Sequence, residues 1–252
     1  MVEKDLAPRT ASRSPITPLA KYWTDEVSRR RYVDHLFDGT AGDYDFVERL
    51  LGFGTGPWYR RTALARAGLK PGMRVLDIAT GTGLVAREAL AIVGEQGLVV
   101  GLDPSEGMLG QAGALPMPRV RALGEQLPCD DASFDFISMG FALRHVADLD
   151  GLFTEMRRVL RPGGAICVLE ITHPRRRLVA GPLRIFMTRV VPAAAVFRGR
   201  YRQARSLMQF YWDTIEACVP PEGVMAALAR AGFEAPRRTE VVGLFSEYTA
   251  KN

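Results

Sequence analysis

The sequence is short of the residues that most often carry covalent or metal chemistry, with three cysteines and three histidines in 252 residues. Cys129, Cys167 and Cys218 are dispersed, odd in number and outside metal-ligand spacing. That pattern offers neither a disulfide framework nor a metal site, and each reads as a small buried hydrophobe. No apolar run reaches the ~20 residues that cross a bilayer. The first twenty residues are polar and proline-rich without an apolar centre, unlike a secretory signal. These absences point to a cytoplasmic chain with a flexible tail over residues 1–20. Lysine is scarce as well, standing only at 4, 21, 70 and 251, so arginine supplies 33 − 4 = 29 of the basic residues. Between Glu170 and Asp213 acid is missing altogether, while arginines stand at 175, 176, 177, 184, 189, 198, 200, 202 and 205.

What is present suffices for one good core, since 47% of the chain is hydrophobic and 24% charged. A helical pattern runs from Thr24, as cap, to Phe37, and a second helix covers Asp45 to Leu51. "LKPGMRVLDIAT" then gives a Pro-Gly turn and a strand. Helix and strand alternate from there through "GLVVGLD", "RVRALG", "FDFISMGF", "LDGLFTEMRRVL" and "GGAICVLEI". Such alternation with short connections predicts an α/β fold with a doubly wound, mostly parallel sheet. After Ile171 the alternation fails for about forty residues and resumes with the helix "EGVMAALARAGF" and closing strands, which marks an insertion. The organisation is one domain over 21–252. It divides into an N-terminal helical lid (21–70), a cofactor-binding core (71–171), a basic amphipathic cap (172–215) and the last helix and strands (216–252).

The strand, glycine turn and helix of "VLDIATGTGLVAREAL", residues 75–90, satisfy G-x-G-x-x-[GA] at positions 81, 83 and 86. A turn of this kind brings backbone N–H groups and a helix N-terminus to a ligand without choosing between adenosine cofactors. Asp77, four residues before the first glycine, bears on the choice, unless it merely caps a neighbouring loop. A carboxylate beside a pyrophosphate is repelled, whereas one beside the ammonium of a methionine-like group is attracted, which favours S-adenosylmethionine. Asp103 ends the next strand, where a carboxylate accepts hydrogen bonds from both ribose hydroxyls, or else caps the turn before Pro104. Met108 suits the adenine face or the core.

"FDGTAGDYDFVERLLGFGTGPWYRRTAL", "VLDIATGTG", "GLDPSEGML", "GEQLPCDDASFDFISMGFALRHV" and "RRVLRPGGAICVLEITHP" together resemble the quinone-biosynthesis C-methyltransferases. That family belongs to the class I S-adenosylmethionine-dependent methyltransferases. The resemblance spans about residues 36–175 and, more weakly, the last helix and strands. It implies a seven-stranded Rossmann-like fold and an aromatic or quinol acceptor, lipophilic in character. It also implies a cofactor turn at Ala79, Gly81, Thr82 and Gly83, with Asp103 on the ribose and Leu123, Gly124 and Glu125 beside the adenine. Gly140 and Phe141 then lie at the methyl-transfer end, and Tyr44 closes over the cofactor. Leu84, Leu123 and Gly140 depart from the family, which often has an acid, an Asn or Asp, and a serine there.

Methylating a ring carbon requires a neighbouring phenol to lose its proton. "FALRHVAD" follows the fourth strand, where His145 (ordinary pKa ~6.5) serves as base and Arg144 stabilises the phenolate. Otherwise His145 merely opens the next helix. Phe141, His145, Tyr211 and Trp212 are the expected acceptor contacts. Basic residues flanking an apolar stripe over 175–205 suit an anionic membrane surface as well as a solvated helix face. Base methylation is disfavoured because "MGFA" stands where base methyltransferases often carry Asn/Asp-Pro-Pro-aromatic, and nucleic acid as a partner because Phe210, Tyr211 and Trp212 are contiguous and precede Asp213 and Glu216, which suits a pocket wall. Homo-oligomerisation stays open. So do two rival functions, methylation of a soluble aromatic, polyketide or sugar-like acceptor and a noncatalytic cofactor-binding module.

Overall fold

The computed structural model describes Leu19 and residues 21–174, 177–194, 196 and 201–252. The rest of the expected tail, together with Arg175, Arg176, Phe197, Arg198 and Arg200, lies outside the described residues. Where two N-terminal helices were expected there is one, α1 (Glu26–Leu51), and its cap is Asp25 rather than Thr24. The Asp25 carboxylate accepts from Ser28 N at 2.7 Å while Ser28 Oγ accepts from Asp25 N at 3.0 Å, a reciprocal capping box. Gly39 and Gly42 each cost a helix about 1 kcal/mol, yet α1 runs through them. Tertiary packing offsets that cost: Thr40 and Ala41 are buried, and Asp38 accepts from Ser105 Oγ at 2.5 Å and Gly107 N at 3.0 Å on a neighbouring helix.

Helix α2 (Gly56–Arg66) leads into β1 (Arg74–Ile78), α3 (Leu84–Val93), β2 (Leu98–Asp103), α4 (Glu106–Gln111), β3 (Arg119–Arg121) and β4 (Phe134–Gly140). Then come α5 (Leu149–Val159) and β5 (Leu160–Ile171). The cap follows as α6 (Arg177–Ile185), a π-helical turn (Phe186–Val190), α7 (Val191–Ala194) and α8 (Tyr201–Ala217). The chain closes with α9 (Pro221–Arg230), β6 (Glu234–Val241) and β7 (Phe245–Lys251). The seven strands lie in the order β3-β2-β1-β4-β5-β7-β6, and β7 pairs antiparallel with both β5 and β6. The expected doubly wound, mostly parallel sheet is thus found.

Parallel strands covered on both faces alternate between two cores. Leu76, Ile78, Ile137 and Ile166 pack toward α5 and α9, while Val75, Phe136 and Cys167 pack toward α2 and α3. A third cluster joins α1 to the cap through Trp23, Val47, Leu207, Phe210, Trp212 and Ile215. The cap is therefore held to the N-terminal helix rather than to the sheet. Of the cysteines, Cys167 is buried whereas Cys129 and Cys218 are only half-buried. Among the described residues no helix is long and apolar enough to cross a membrane.

Candidate functional site

The strand order reverses direction between β1 and β4, and a crevice opens there at the carboxyl ends of the strands, as this topology requires. It encloses about 900 Å³ including its open mouth. Tyr44, Ala79, Gly81, Asp103, Met108, Leu123, Gly124, Glu125, Gly140, Phe141 and His145 line it, which brings together most of the residues expected from the sequence. Two of these hold left-handed backbone without being glycine, Ala79 (φ +52°) after β1 and Phe141 (φ +59°) after β4. Such conformations cost on the order of 1 kcal/mol each and persist where the surroundings over-determine them, typically at ligand sites.

The turn itself is fixed from behind. Gly83 caps α3 at φ +86°, and a side chain there would strike Leu115. Gly81 N donates to Asp103 Oδ2 at 2.8 Å and Ser105 N to Oδ1 at 2.9 Å, so two backbone groups aim the Asp103 carboxylate. Burial pushes its pKa up to about 6 despite those donors, with the charges of Asp34 and Asp38 adding to the rise. Asp77 does not line the crevice. It is wholly buried, accepting Thr80 Oγ1 and Ser138 Oγ at 2.6 Å each, and burial raises its pKa to about 6. Thr82 also turns away, its hydroxyl donating to Asp45 on α1 at 2.5 Å. Glu125 accepts Ala147 N at 2.7 Å and so ties the 123–125 loop to the His145 loop.

His145 lies between Phe210, stacked at 5.4 Å, and Phe37, edge-on at 5.3 Å. Both ring nitrogens are shut from solvent without a hydrogen-bond partner among the described residues. Burial, then the charges of Arg144 and Arg29, hold its pKa well below 6.5. This corrects the expectation of a base titrating near neutrality, because the ring is neutral throughout that range. Its carbonyl accepts Arg29 Nη1 at 2.6 Å, which pins the loop to α1.

Arg144 faces elsewhere. It is fully buried and ion-paired with Glu170, donates Nε to Thr214 Oγ1 at 3.2 Å and lies 5.0 Å over the Tyr211 ring. Its Nη2 has no hydrogen-bond partner among the described residues. It borders a second cavity of about 720 Å³ under the cap, walled by Leu183, Phe186, Met187 and Leu207 and floored by Tyr211, whose hydroxyl bonds to that of Tyr44. Tyr44 and Phe141 belong to both spaces, so crevice and cavity share one wall. Arg60, buried and paired with Glu48, lies 5.6 Å over the Phe141 ring and supports that wall. Trp212 reaches neither space. It is 1% exposed in the α1–α8 core, edge-on to His173 at 5.8 Å.

Sequence reasoning missed Arg29, Asp34, Phe37, Glu48 and Arg60. A signal existed: Asp34, Asp38, Asp45 and Glu48 follow at spacings of four, seven and three, one stripe of a single helix. Reading α1 as two helices broke that stripe. The crevice as built suits a cationic adenosine compound. Asp34, Asp103 and Glu125 set carboxylates along its wall, Leu102, Met108 and Leu123 give an apolar slot, and the space over Gly81 is open.

Comparison with known proteins agrees with this geometry. The model of the ubiE/COQ5 methyltransferase family matches residues 25–243. The chain is 35% identical over 225 residues to a ubiquinone/menaquinone biosynthesis C-methyltransferase UbiE of Geobacter sulfurreducens, covering 86% of each. It is 31% identical to a demethylmenaquinone methyltransferase of Mycobacterium tuberculosis, covering 84% of this chain and 88% of that one. Among solved structures it resembles a SAM-dependent methyltransferase from Aquifex aeolicus, with TM-score 0.57, 23% identity, and coverage of 76% of this chain and 88% of that one. It also resembles phosphoethanolamine N-methyltransferase 2 of Haemonchus contortus in complex with S-adenosyl-L-methionine, with TM-score 0.62, 18% identity, and coverage of 89% and 60%.

Proposed function

The chain belongs to the ubiE/COQ5 methyltransferase family and is an S-adenosylmethionine-dependent methyltransferase, and from that footing we propose that it methylates a ring carbon of a quinol carrying an apolar tail. One observation carries the reading. An apolar cavity adjoins the cofactor crevice at Tyr44 and Phe141 and is bordered by Arg144, whose guanidinium lies over the Tyr211 ring and whose Nη2 has no partner among the described residues. A buried unpaired donor is costly unless a ligand completes it. Here the ligand is the oxygen of a phenol, and the surrounding leucines, methionine and phenylalanine take its tail.

Asp103 accepts the ribose hydroxyls, Met108 and Leu123 hold the adenine, and Asp34 and Glu125 add negative charge near the cation. Asp77 acts from behind, by fixing the turn and adding to the negative field. The bound cofactor supplies an electrophilic methyl group on a sulfonium, and the protein's part is to bring an activated carbon in line with it. Orientation of that kind supplies on the order of 7–11 kcal/mol in favourable systems. Arg144 holds the phenolic oxygen from the cavity side and lowers its pKa, and neutral His145, on the crevice side of the shared wall, accepts its proton through water. The weak basicity of a buried imidazole is matched by the acidity that a guanidinium hydrogen bond confers on the phenol.

The test is methyl transfer from labelled S-adenosylmethionine to demethylated quinols with short and long isoprenoid tails, alongside soluble catechols and hydroxylated polyketides. The expected product carries the label on a ring carbon, with KM falling as the tail lengthens. Turnover confined to the soluble acceptors, or label on oxygen alone, overturns the reading.

A further inference from the structure

Three segments meet at the outer rim of the apolar cavity. Leu51 and Gly52 come from the end of α1, Leu183 and Phe186 from the cap, and Leu244 and Phe245 from the β6–β7 turn. Each segment also exposes a large apolar side chain next to its lining residues. Phe53 is 78% exposed, Val242 85% and, in the cap, Ile185 56%, and Phe53 stacks on Phe186 at 5.4 Å. Trp58, 71% exposed, stands in the first turn of α2 a few residues beyond Phe53. Isolated exposed hydrophobes are ordinary on a protein surface. A ring of them around the mouth of an apolar cavity marks an interaction site.

The charge of the rim identifies the partner. Residues 49–58, 171–212 and 241–246 contain no aspartate or glutamate in a chain that has 28 of them, while Arg49, Arg184 and Arg189 are exposed within these segments. Glu48 and Glu240, which flank these segments, are paired with Arg60 and Arg238, so the face is apolar at its centre and basic at its edge and complements an anionic phospholipid surface. We propose that this rim docks on an anionic bilayer with Phe53, Ile185 and Val242 entering the headgroup layer, so that the cavity mouth opens into lipid. The inference rests on the lipophilic acceptor proposed above and adds how the acceptor enters. An acceptor with a long tail moves from lipid into the cavity without crossing water. The docking face is wider than the basic stretch 175–205, since two of its three apolar tips lie outside that stretch.

The chain carries its own reporter. Trp23 and Trp212 are buried, so Trp58 is the tryptophan whose emission responds to a surface partner. Vesicles of phosphatidylcholine with phosphatidylglycerol should sediment the full chain, shift Trp58 emission to the blue and, when the lipid is brominated, quench it. Phosphatidylcholine alone should do so far less. Arg184→Ala and Arg189→Ala should each weaken partitioning about fivefold, and added salt should weaken it further. Phe53→Ser with Val242→Ser should weaken it by about tenfold or more, while turnover of a tail-less phenol, which needs no membrane, stays unchanged. Failure to sediment, equal partitioning of the double variant, or a Trp58 shift that depends on protein concentration without vesicles overturns the proposal, the last because a second copy then covers the face. If a quinol is methylated yet vesicles are not bound, docking fails alone. If vesicles are bound yet no quinol is methylated, the acceptor reading fails alone.

Discussion

Short loops at the ends of β1, β2 and β4 make most of the cofactor crevice, whereas the cavity beside it draws Tyr44 from α1, Leu183 and Phe186 from the cap, Tyr211 from α8 and Phe245 from β7. The crevice works through backbone. Gly81 and Ser105 donate to Asp103, and Ala79 and Phe141 turn the chain into left-handed conformations that aim the loops inward. The cavity works through side chains, packed from segments as distant in sequence as Tyr44 and Phe245. Backbone geometry restricts which residues fit at each position, and packing restricts only their size and polarity. On the proposed function, a cofactor common to many enzymes sits in the first space and acceptor choice resides in the second.

The comparison is most severely tested at Arg144, which with Glu48 is one of two charged residues lining the cavity and comes from the loop that also borders the crevice. Arg144→Met leaves the Glu170 carboxylate buried without its cation, and breaking such a pair costs about 3–5 kcal/mol. Denaturant unfolding should show that loss, and turnover should vanish with it. Adding Glu170→Gln should restore most of the stability but none of the turnover. If the double variant regains methyl transfer, the unpartnered nitrogen serves the fold and not the acceptor.

His145→Ala should lower kcat by about 10²–10⁴-fold, the usual range for a proton acceptor, with cofactor affinity changed no more than a few-fold. The wild-type pH profile carries the sign. Because burial and two arginines depress the pKa, the ring is an acceptor throughout the neutral range, and protonation removes it only on the acid side. At saturating cofactor kcat should be flat through neutrality, and a titration centred near pH 6.5, the ordinary histidine value, would contradict the buried geometry.

A smaller effect separates the two spaces cleanly. Leu183→Trp fills the cavity without touching the crevice, and overpacking of this kind costs about 1–3 kcal/mol. The KM for a long-tailed acceptor should rise about tenfold, while calorimetry finds cofactor binding unchanged. A matching loss of cofactor affinity would show that the shared wall at Tyr44 and Phe141 moves as one body.

These asymmetries also explain what could be read from the sequence. Residues 75–90 and Asp103 were legible because a strand, a glycine turn and a helix leave a local pattern, 123–125 only through the family resemblance, and the structure puts Gly81, Asp103, Leu123, Gly124 and Glu125 in one crevice. The cavity leaves no such pattern. Leu183, Met187 and Leu207 read as any apolar stripe, and only the folded cap shows which face they share. Tyr211 and Trp212 are adjacent on α8, so helical geometry sends them to different surroundings, one to the cavity floor and the other to the core against α1. The helix break expected at 38–44 failed for a related reason. Two glycines argue locally for a break, and only the bond of Asp38 to Ser105 and the burial of Thr40 and Ala41 override them.

Asp77 tests whether an acid at a strand end serves the ligand or the turn. Its pKa in the folded chain is about 6, above the ordinary 3.8, so the folded state holds the proton more tightly than the unfolded one. That contribution to stability is complete below the unfolded pKa and is lost as pH rises through about 6, which leaves a buried carboxylate at neutral pH that burial disfavours. Asp77→Asn removes the charge and keeps an acceptor for one of the hydroxyls of Thr80 and Ser138, while the other must reverse its direction. The two-unit shift corresponds to about 3 kcal/mol. The reversed hydroxyl takes back part of that, so the variant should be more stable than wild type by about 1 kcal/mol near pH 8 and no more stable near pH 4, as urea unfolding at the two pH values would measure. Cofactor affinity should fall only a few-fold, because Asp103 and not Asp77 faces the crevice. A large loss of affinity without the gain in stability would place the Asp77 charge in contact with the cofactor's ammonium group and make the crevice, like the cavity, a site governed by its side chains.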